Sequence, residues 1–305
     1  MMNNEFFKSG GKNCRRELSA ACLHDISCLG RCSLTAALPV ISAAGISVGV
    51  LPTALLSTQT GGLNQYTYLE LTDEMKKIMS HWKKLGVTFD AVYSGFLGSA
   101  EQIEIVENFL ENFMRDGGIY LCDPAMADNG ELYNTFDGSF VAEMSELVKF
   151  ASVITPNVTE AFFLLGREYK KGPYDKSFAD ELVSSLSEKY KVKYTIITGV
   201  SLEEEKTGVI WRDYDTKEIS FLSADKIKGN FFSTGDLFAS ALTGGLLRGL
   251  DLNDAVEISE KFVSSAIKNT VKNGGDSRFG LDFEPCLQDF INQIDYYLRK
   301  ENKDE

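Results

Sequence analysis

Short apolar runs that stop abruptly at polar or turn residues recur along the chain. Residues 19–23 run into His24-Asp25, 46–51 into Pro52-Thr53, and 89–93 into Ser94-Gly95. Further on, 119–122 meet Asp123-Pro124, 152–154 meet Thr155-Pro156-Asn157, and 194–197 meet Thr198-Gly199. Between these runs, segments 100–115, 178–190 and 254–271 carry apolar residues at helical spacing. Strands alternating with helices predict a mostly parallel sheet covered on both faces, an α/β fold. In such sheets ligands bind beyond the carboxyl ends of the strands, which is where Asp25, Ser94, Asp123, Asn157 and Thr198 fall. One Asp or Asn in that position is more often a turn or cap residue. Five polar strand ends in sequence point to a shared site.

Segment 207–223 differs, with two β-rich stretches around Asp213-Tyr214-Asp215, and reads as a hairpin toward the sheet edge. No charged residue lies between Arg31 and Glu70, but Pro39, Gly45, Gly49 and Pro52 interrupt that stretch, so a buried helix and strand are expected rather than a membrane span. Residues 1–17 show no apolar core ahead of a small-residue cleavage site, do not read as a signal peptide, and are expected to be a poorly ordered extension. With no repeat or low-complexity linker, residues 18–305 are expected to form one domain, with 55–71 as a small lid.

Composition narrows the function. The 305 residues are 44% hydrophobic and 25% charged, as in a soluble globular protein. A formal net charge of −13 without a basic run argues against nucleic-acid and membrane-surface partners, and with no signal-peptide pattern a cytoplasmic protein is expected. Cys14, Cys22, Cys28, Cys32, Cys122 and Cys286 lack paired zinc spacing and are expected to be reduced thiols. His24 and His81 are the only histidines, which excludes an H-E-x-x-H helix. No G-x-S-x-G elbow, Walker A motif, G-x-G-x-x-G fingerprint or EF-hand loop occurs.

The most informative stretch is GNFFSTGDLFASALTGGLLRG, residues 229–249, where Ser233-Thr234-Gly235-Asp236 precede an apolar, small-residue helix. Free amides and the positive dipole end at such a helix start suit an anion, and Gly235 lets the backbone approach it closely. Asp236 alone is best read as an N-cap. Beside an amide cluster, a carboxylate is also where a base would stand next to a transferring phosphoryl group.

STGDLFAS is similar to the G-T-G-D signature of the ribokinase superfamily, and the chain resembles its pyridoxal kinase branch. HDISCLGRCSLTAALPVISAAG (24–45), LLSTQTGG (55–62), YSGFLGS (93–99), CDPAMADNGELY (122–133), ITPNVTEAFFLLG (154–166) and ITGV (197–200) carry the resemblance in family order. It implies a ribokinase-like three-layer α/β/α sandwich and ATP- and magnesium-dependent phosphorylation of the 5′-hydroxymethyl group of pyridoxal, pyridoxamine or pyridoxine. The hydroxymethylpyrimidine kinase branch is the alternative, and a non-catalytic nucleotide-binding regulator a more distant one. A homodimer is expected from the resemblance, and a monovalent cation requirement is left open by it.

By that resemblance Asp236 matches the catalytic base, and the amides of Thr234, Gly235 and Asp236 match the anion hole. Asp123 and Asp128 correspond to acidic positions near phosphates and metal, with Asp123 and Glu160 on the metal side. Asn157 and Glu160 match an N-x-x-E motif that orders magnesium largely through water, while Thr198 and Gly199 match phosphate contacts after a strand. Asp25 and Ser27 in the first strand-to-helix loop, Thr60 in the lid and Phe96 beside the pyridine ring match the substrate side. Ser233 replaces the first glycine of the signature. A position requiring φ > 0 would strain Ser by about 1 kcal/mol or more. Retention of Gly235 and Asp236 favours a harmless exchange.

Overall fold

The computed structural model describes residues 17–304. Cys14 and nearly all of the expected N-terminal extension lie outside them.

In chain order the first elements are β1 (Ser19–Leu29), α1 (Leu34–Ala43), β2 (Ser47–Thr58), β3 (Tyr68–Glu70), α2 (Thr72–Leu85) and β4 (Phe89–Ser94). Next come α3 (Ala100–Phe113), β5 (Met114–Cys122), β6 (Ala127–Asp128), β7 (Glu131–Leu132), α4 (Gly138–Val148) and β8 (Val153–Ile154). They are followed by α5 (Val158–Leu164), α6 (Lys176–Tyr190), β9 (Tyr194–Val200), β10 (Lys206–Asp213) and β11 (Ile219–Asp225). The last helices are α7 (Thr234–Arg248), α8 (Leu252–Asn273) and α9 (Leu287–Asp304).

Among the described residues nine strands form one sheet in the order β11-β10-β9-β8-β5-β4-β1-β2-β3. The pairs from β2 through β1, β4, β5 and β8 to β9 are parallel. The added strands β3, β10 and β11 are antiparallel at the two edges. The edge hairpin expected at 207–223 is the β10–β11 pair. Because β1 pairs with both β2 and β4, successive connections diverge beside it, and that switch point opens a crevice beyond the strand ends.

Side chains alternate across the sheet, so each buried face needs its own helical layer. Leu23, Val92, Phe109, Phe162 and Val183 belong to the core under α2–α6. Ala20, Tyr93, Val40, Leu242 and Phe262 belong to the other, under α1, α7, α8 and α9. The result is the expected three-layer α/β/α sandwich. Helix α7 is buried along its length from Leu237 to Leu247. A Cβ on Gly244 would stand 3.0 Å from the Ala44 Cβ, so glycine there permits the close approach of α7 to the end of α1. This packing gives the start of α7 a rigid mount.

The uncharged stretch after Arg31 is α1 and β2, and no helix among the described residues is long and apolar enough to cross a membrane. Several boundaries differ from expectation. β1 does not stop at Leu23. After a register shift between His24 and Ile26, it continues along β2 until Leu29 faces Thr58. Asp25 and Ser27 are therefore strand residues, not loop residues. β9 likewise carries Thr198 and Gly199 inside the strand, because Thr198 pairs with Val209 of β10. Residues 55–71 form a flap more than a loop, since Leu55 and Leu56 pair with Leu69 and Tyr68. Helix α3 ends at Phe113 rather than 115, because Met114 already pairs with Phe89. In each case backbone pairing with a neighbouring strand overrides the local sequence signal.

Candidate active site

Beyond the strand ends lies a cavity of about 560 Å³. Asp25, Thr60, Phe96, Asp123, Asp128, Asn157, Glu160, Thr198, Gly199, Thr234, Gly235 and Asp236 all line it. Ser27 does not. It is fully buried, and its hydroxyl donates to Asp25 Oδ2 at 3.3 Å, so it acts on the cavity through its neighbours there.

Asp236 is the third residue of α7, and Ser233 occupies the N-cap position. The cap role open to Asp236 from sequence is thus not the one it has. Its Oδ2 instead accepts the backbone N–H of Ser33, the residue preceding α1, at 2.9 Å. Burial raises the Asp236 carboxyl above the usual range, with the Ser33 N–H pulling the other way. Ser233 has φ 63, a left-handed backbone, and serine there costs about 1 kcal/mol or more. The harmless exchange expected from sequence is therefore corrected: this position does require φ > 0.

Gly235 is exposed to the cavity. A Cβ placed on it would meet only Asp123 Oδ2, at 3.8 Å, so the protein's own packing does not demand glycine. The free amides at the start of α7 open into the same space, an arrangement suited to a phosphate.

Asn157 and Glu160 are the N-cap and N3 of α5 and close a reciprocal capping box. Asn157 Oδ1 accepts from Glu160 N at 3.0 Å, and Glu160 Oε2 accepts from Asn157 N at 2.8 Å. Glu160 Oε1 also accepts from Met126 N at 3.1 Å, while Asn157 Nδ2 donates to Ala127 O at 2.8 Å. The three-residue spacing thus pins the 126–127 segment to α5. Asp128 is exposed and takes two hydrogen bonds from Asn129, at 2.8 Å each.

Burial pushes the Asp123 carboxyl well above its ordinary range, and the charges of Glu160 and Asp236 act in the same direction. Burial lifts Glu160 to about 8, against the pull of the Asn157, Met126 and Ala127 amides. Among the described residues no Lys or Arg forms an ion pair with any of the three. Nor do the described residues hold a cluster of three or more ligating side chains close enough to cage a metal. A magnesium ion keeps several waters and shares its coordination with substrate phosphates, so it needs only one or two protein carboxylates. Asp123 and Glu160 are the residues that could hold it.

Phe96, also in the lining, is partly exposed and continues an aromatic row through Phe136, 5.6 Å away between centroids, to Phe140. Asp25 is 5% exposed, and burial lifts its carboxyl to about 6. Several lining residues were not singled out from sequence. Cys32 and Ser33 sit between β1 and α1, and nothing in the local pattern distinguishes them. Glu260, Val263 and Ile267 line the cavity from α8. Their signal is a carboxylate inside an otherwise apolar stripe at helical spacing.

Residues 33–279 match the phosphomethylpyrimidine kinase family. A match to the pyridoxine kinase of Bacillus subtilis is 27% identical and spans 61% of this chain and 66% of that protein, about two thirds. The hydroxymethylpyrimidine/phosphomethylpyrimidine kinase of Aquifex aeolicus is 30% identical over 66% of this chain and 74% of its own. Among solved structures, a candidate phosphomethylpyrimidine kinase of Bacteroides thetaiotaomicron, crystallised with pyridoxal, is 38% identical with a TM-score of 0.85. That alignment covers 90% of this chain and 96% of the other. The sheet order, the layers and these matches together make the fold ribokinase-like and the protein a pyridoxal kinase-like phosphotransferase: the chain belongs to the phosphomethylpyrimidine kinase family.

Proposed function

We propose that this protein transfers the γ-phosphate of ATP to the 5′-hydroxymethyl group of pyridoxal, pyridoxamine or pyridoxine, with magnesium as the metal. The observation that carries the reading is one cavity that gathers two chemically distinct sets of residues. A carboxylate and free helix amides at the start of α7 form one set, and Phe96, Asp25 and Thr60 the other. The pyridoxal-bound Bacteroides structure, at 38% identity, supports the choice of ring.

In this reading Asp236 accepts the hydroxymethyl proton as the oxygen attacks phosphorus. A carboxylate is a weak base toward a free alcohol, but in a loose transition state the proton becomes acidic late, so position matters more than strength. Burial raises the affinity of Asp236 for that proton. The amides of Thr234, Gly235 and Asp236 stabilise the charge on the transferring group, fixed in place by the packing of α7. Thr198 and Gly199, at the end of β9, contact nucleotide phosphates, and Asp128 is the further acidic group on the phosphate side. Asp123 and Glu160 would hold magnesium, partly through water, and Asn157 fixes Glu160 in place. The metal, when bound, supplies neutralisation of phosphate charge. Phe96 lies against the pyridine ring, while Asp25, oriented by Ser27, and Thr60 hold its polar substituents.

A coupled kinase assay across the three vitamers, hydroxymethylpyrimidine and simple sugars tests the reading. Transfer to at least one vitamer with the highest kcat/KM supports it. Preference for the pyrimidine, the chemistry in the name of the Aquifex relative, or for a sugar overturns it.

A further inference from the structure

The flap between β2 and β3 lends Gln59, Thr60 and Gly61 to the cavity lining, and its tip, residues 59–62, rests on a specific side chain. A Cβ on Gly61 would stand 2.7 Å from Phe232 Cδ1 and 2.8 Å from Cε1, and a Cβ on Gly62 would stand 2.9 Å from Phe232 Cζ. Gly62 has φ +70, so its backbone also calls for glycine. Gly61 is not among the positive-φ residues. The missing side chain at Gly61 is therefore explained by the ring alone.

A second tie runs beside the first. The Gln59 side-chain amide donates to the Arg278 carbonyl. Ser277 Oγ in turn donates to the carbonyl of Asn230 at 2.6 Å, and Arg31 N donates to Phe279 O at 2.8 Å. Segment 277–279 thus joins the flap to the stretch that carries Phe232 and to the chain between β1 and α1. Phe232 itself lines the cavity and immediately precedes Ser233, whose left-handed backbone starts α7.

We propose that Phe232 is a positioning residue: its ring, wedged against Gly61 and Gly62, seats the flap and its Thr60 over the acceptor end of the cavity. The proposal deepens the kinase reading above and rests on it for what the flap encloses. One residue step links the ring to the left-handed turn that aims the α7 amides. A seated flap excludes water from the transferring phosphoryl group.

The test compares the wild-type chain with Phe232→Ala and Phe232→Leu by amide hydrogen exchange at residues 59–67 and by steady-state kinetics. For Phe232→Ala we expect faster exchange in that segment, KM for the vitamer up about tenfold with KM for ATP nearly unchanged, and more ADP formed per phosphorylated acceptor. Phe232→Leu, which keeps bulk against the glycines, should restore most of all three. Unchanged exchange, KM and coupling in Phe232→Ala overturn the proposal. If that variant does not fold, Gly61→Ala, which displaces the ring from the other side, is read by the same three measurements and decides in the same way. A wild-type protein that phosphorylates none of the acceptors overturns the kinase reading, while the exchange data still decide whether Phe232 seats the flap.

Discussion

Asp236 Oδ2 accepts the backbone N–H of Ser33 at 2.9 Å, joining the start of α7 to the start of α1 across 203 residues of sequence. The bond fixes the carboxylate without using it as a cap for its own helix. Asn keeps an oxygen that can accept from Ser33, whereas Ala leaves that N–H without its partner. Asp236→Ala is therefore expected to lose about 1–3 kcal/mol in urea unfolding, and Asp236→Asn to stay within about 0.5 kcal/mol of wild type. Equal losses in the two variants would contradict this role for the bond.

Ser233, with φ 63, carries strain that glycine would relieve. Glycine also adds unfolded-state entropy, so the two effects partly offset. Ser233→Gly is expected to raise stability by up to about 1 kcal/mol and to keep normal turnover. A loss of stability on this substitution, measured by urea titration, would show that the hydroxyl contributes more than the backbone strain removes.

Gly235→Ala separates a folding requirement from a ligand requirement. The nearest atom to the new methyl would be Asp123 Oδ2 at 3.8 Å, an ordinary contact. The variant is expected to melt close to wild type, yet to lose ATP affinity and kcat because the methyl stands where phosphate approaches the backbone. Wild-type kinetics in this variant would remove Gly235 from the anion hole.

Much of this arrangement was legible in the chain because parallel strands buried on both faces leave an abrupt apolar-to-polar edge. Asp123 after β5 and Asn157 after β8 stand at such edges, and the STGD stretch announces a helix start by its glycine and the apolar run after it. What stayed hidden is non-local. The polar letters of His24 and Asp25 resemble a turn, but pairing with β2 carries the strand through them to Leu29. The left-handed backbone at Ser233 has no signal in a residue that ordinarily avoids it. Asn157 and Glu160 showed their spacing, yet not that both side chains are engaged by backbone groups of the 126–127 segment and of each other. Ser33 and Phe232 enter only once the fold brings distant segments together.

Asp25 gives the pH behaviour a definite sign. Burial raises its carboxyl from 3.8 to about 6 in the folded protein, so between those values the folded state binds more protons than the unfolded one. The stability this group contributes is fully present below the unfolded pKa and is lost as pH rises through about 6. The loss is on the order of 2–3 kcal/mol. Asp25→Asn should flatten that part of the decline in urea unfolding between pH 4 and 7. An unchanged slope would mean that the folded-state carboxyl titrates as it does in the unfolded chain.

The kcat of Asp236→Asn with ATP and a B6 vitamer, measured beside its melting temperature and its ATP affinity, tests the mechanism most directly. Asn retains the hydrogen bond from Ser33 and loses the capacity to take a proton. The account predicts a folded variant that melts near wild type and binds ATP normally, with kcat lower by at least about a hundredfold. Near-normal turnover would contradict the assignment of Asp236 as the base and the direction of proton transfer built on it.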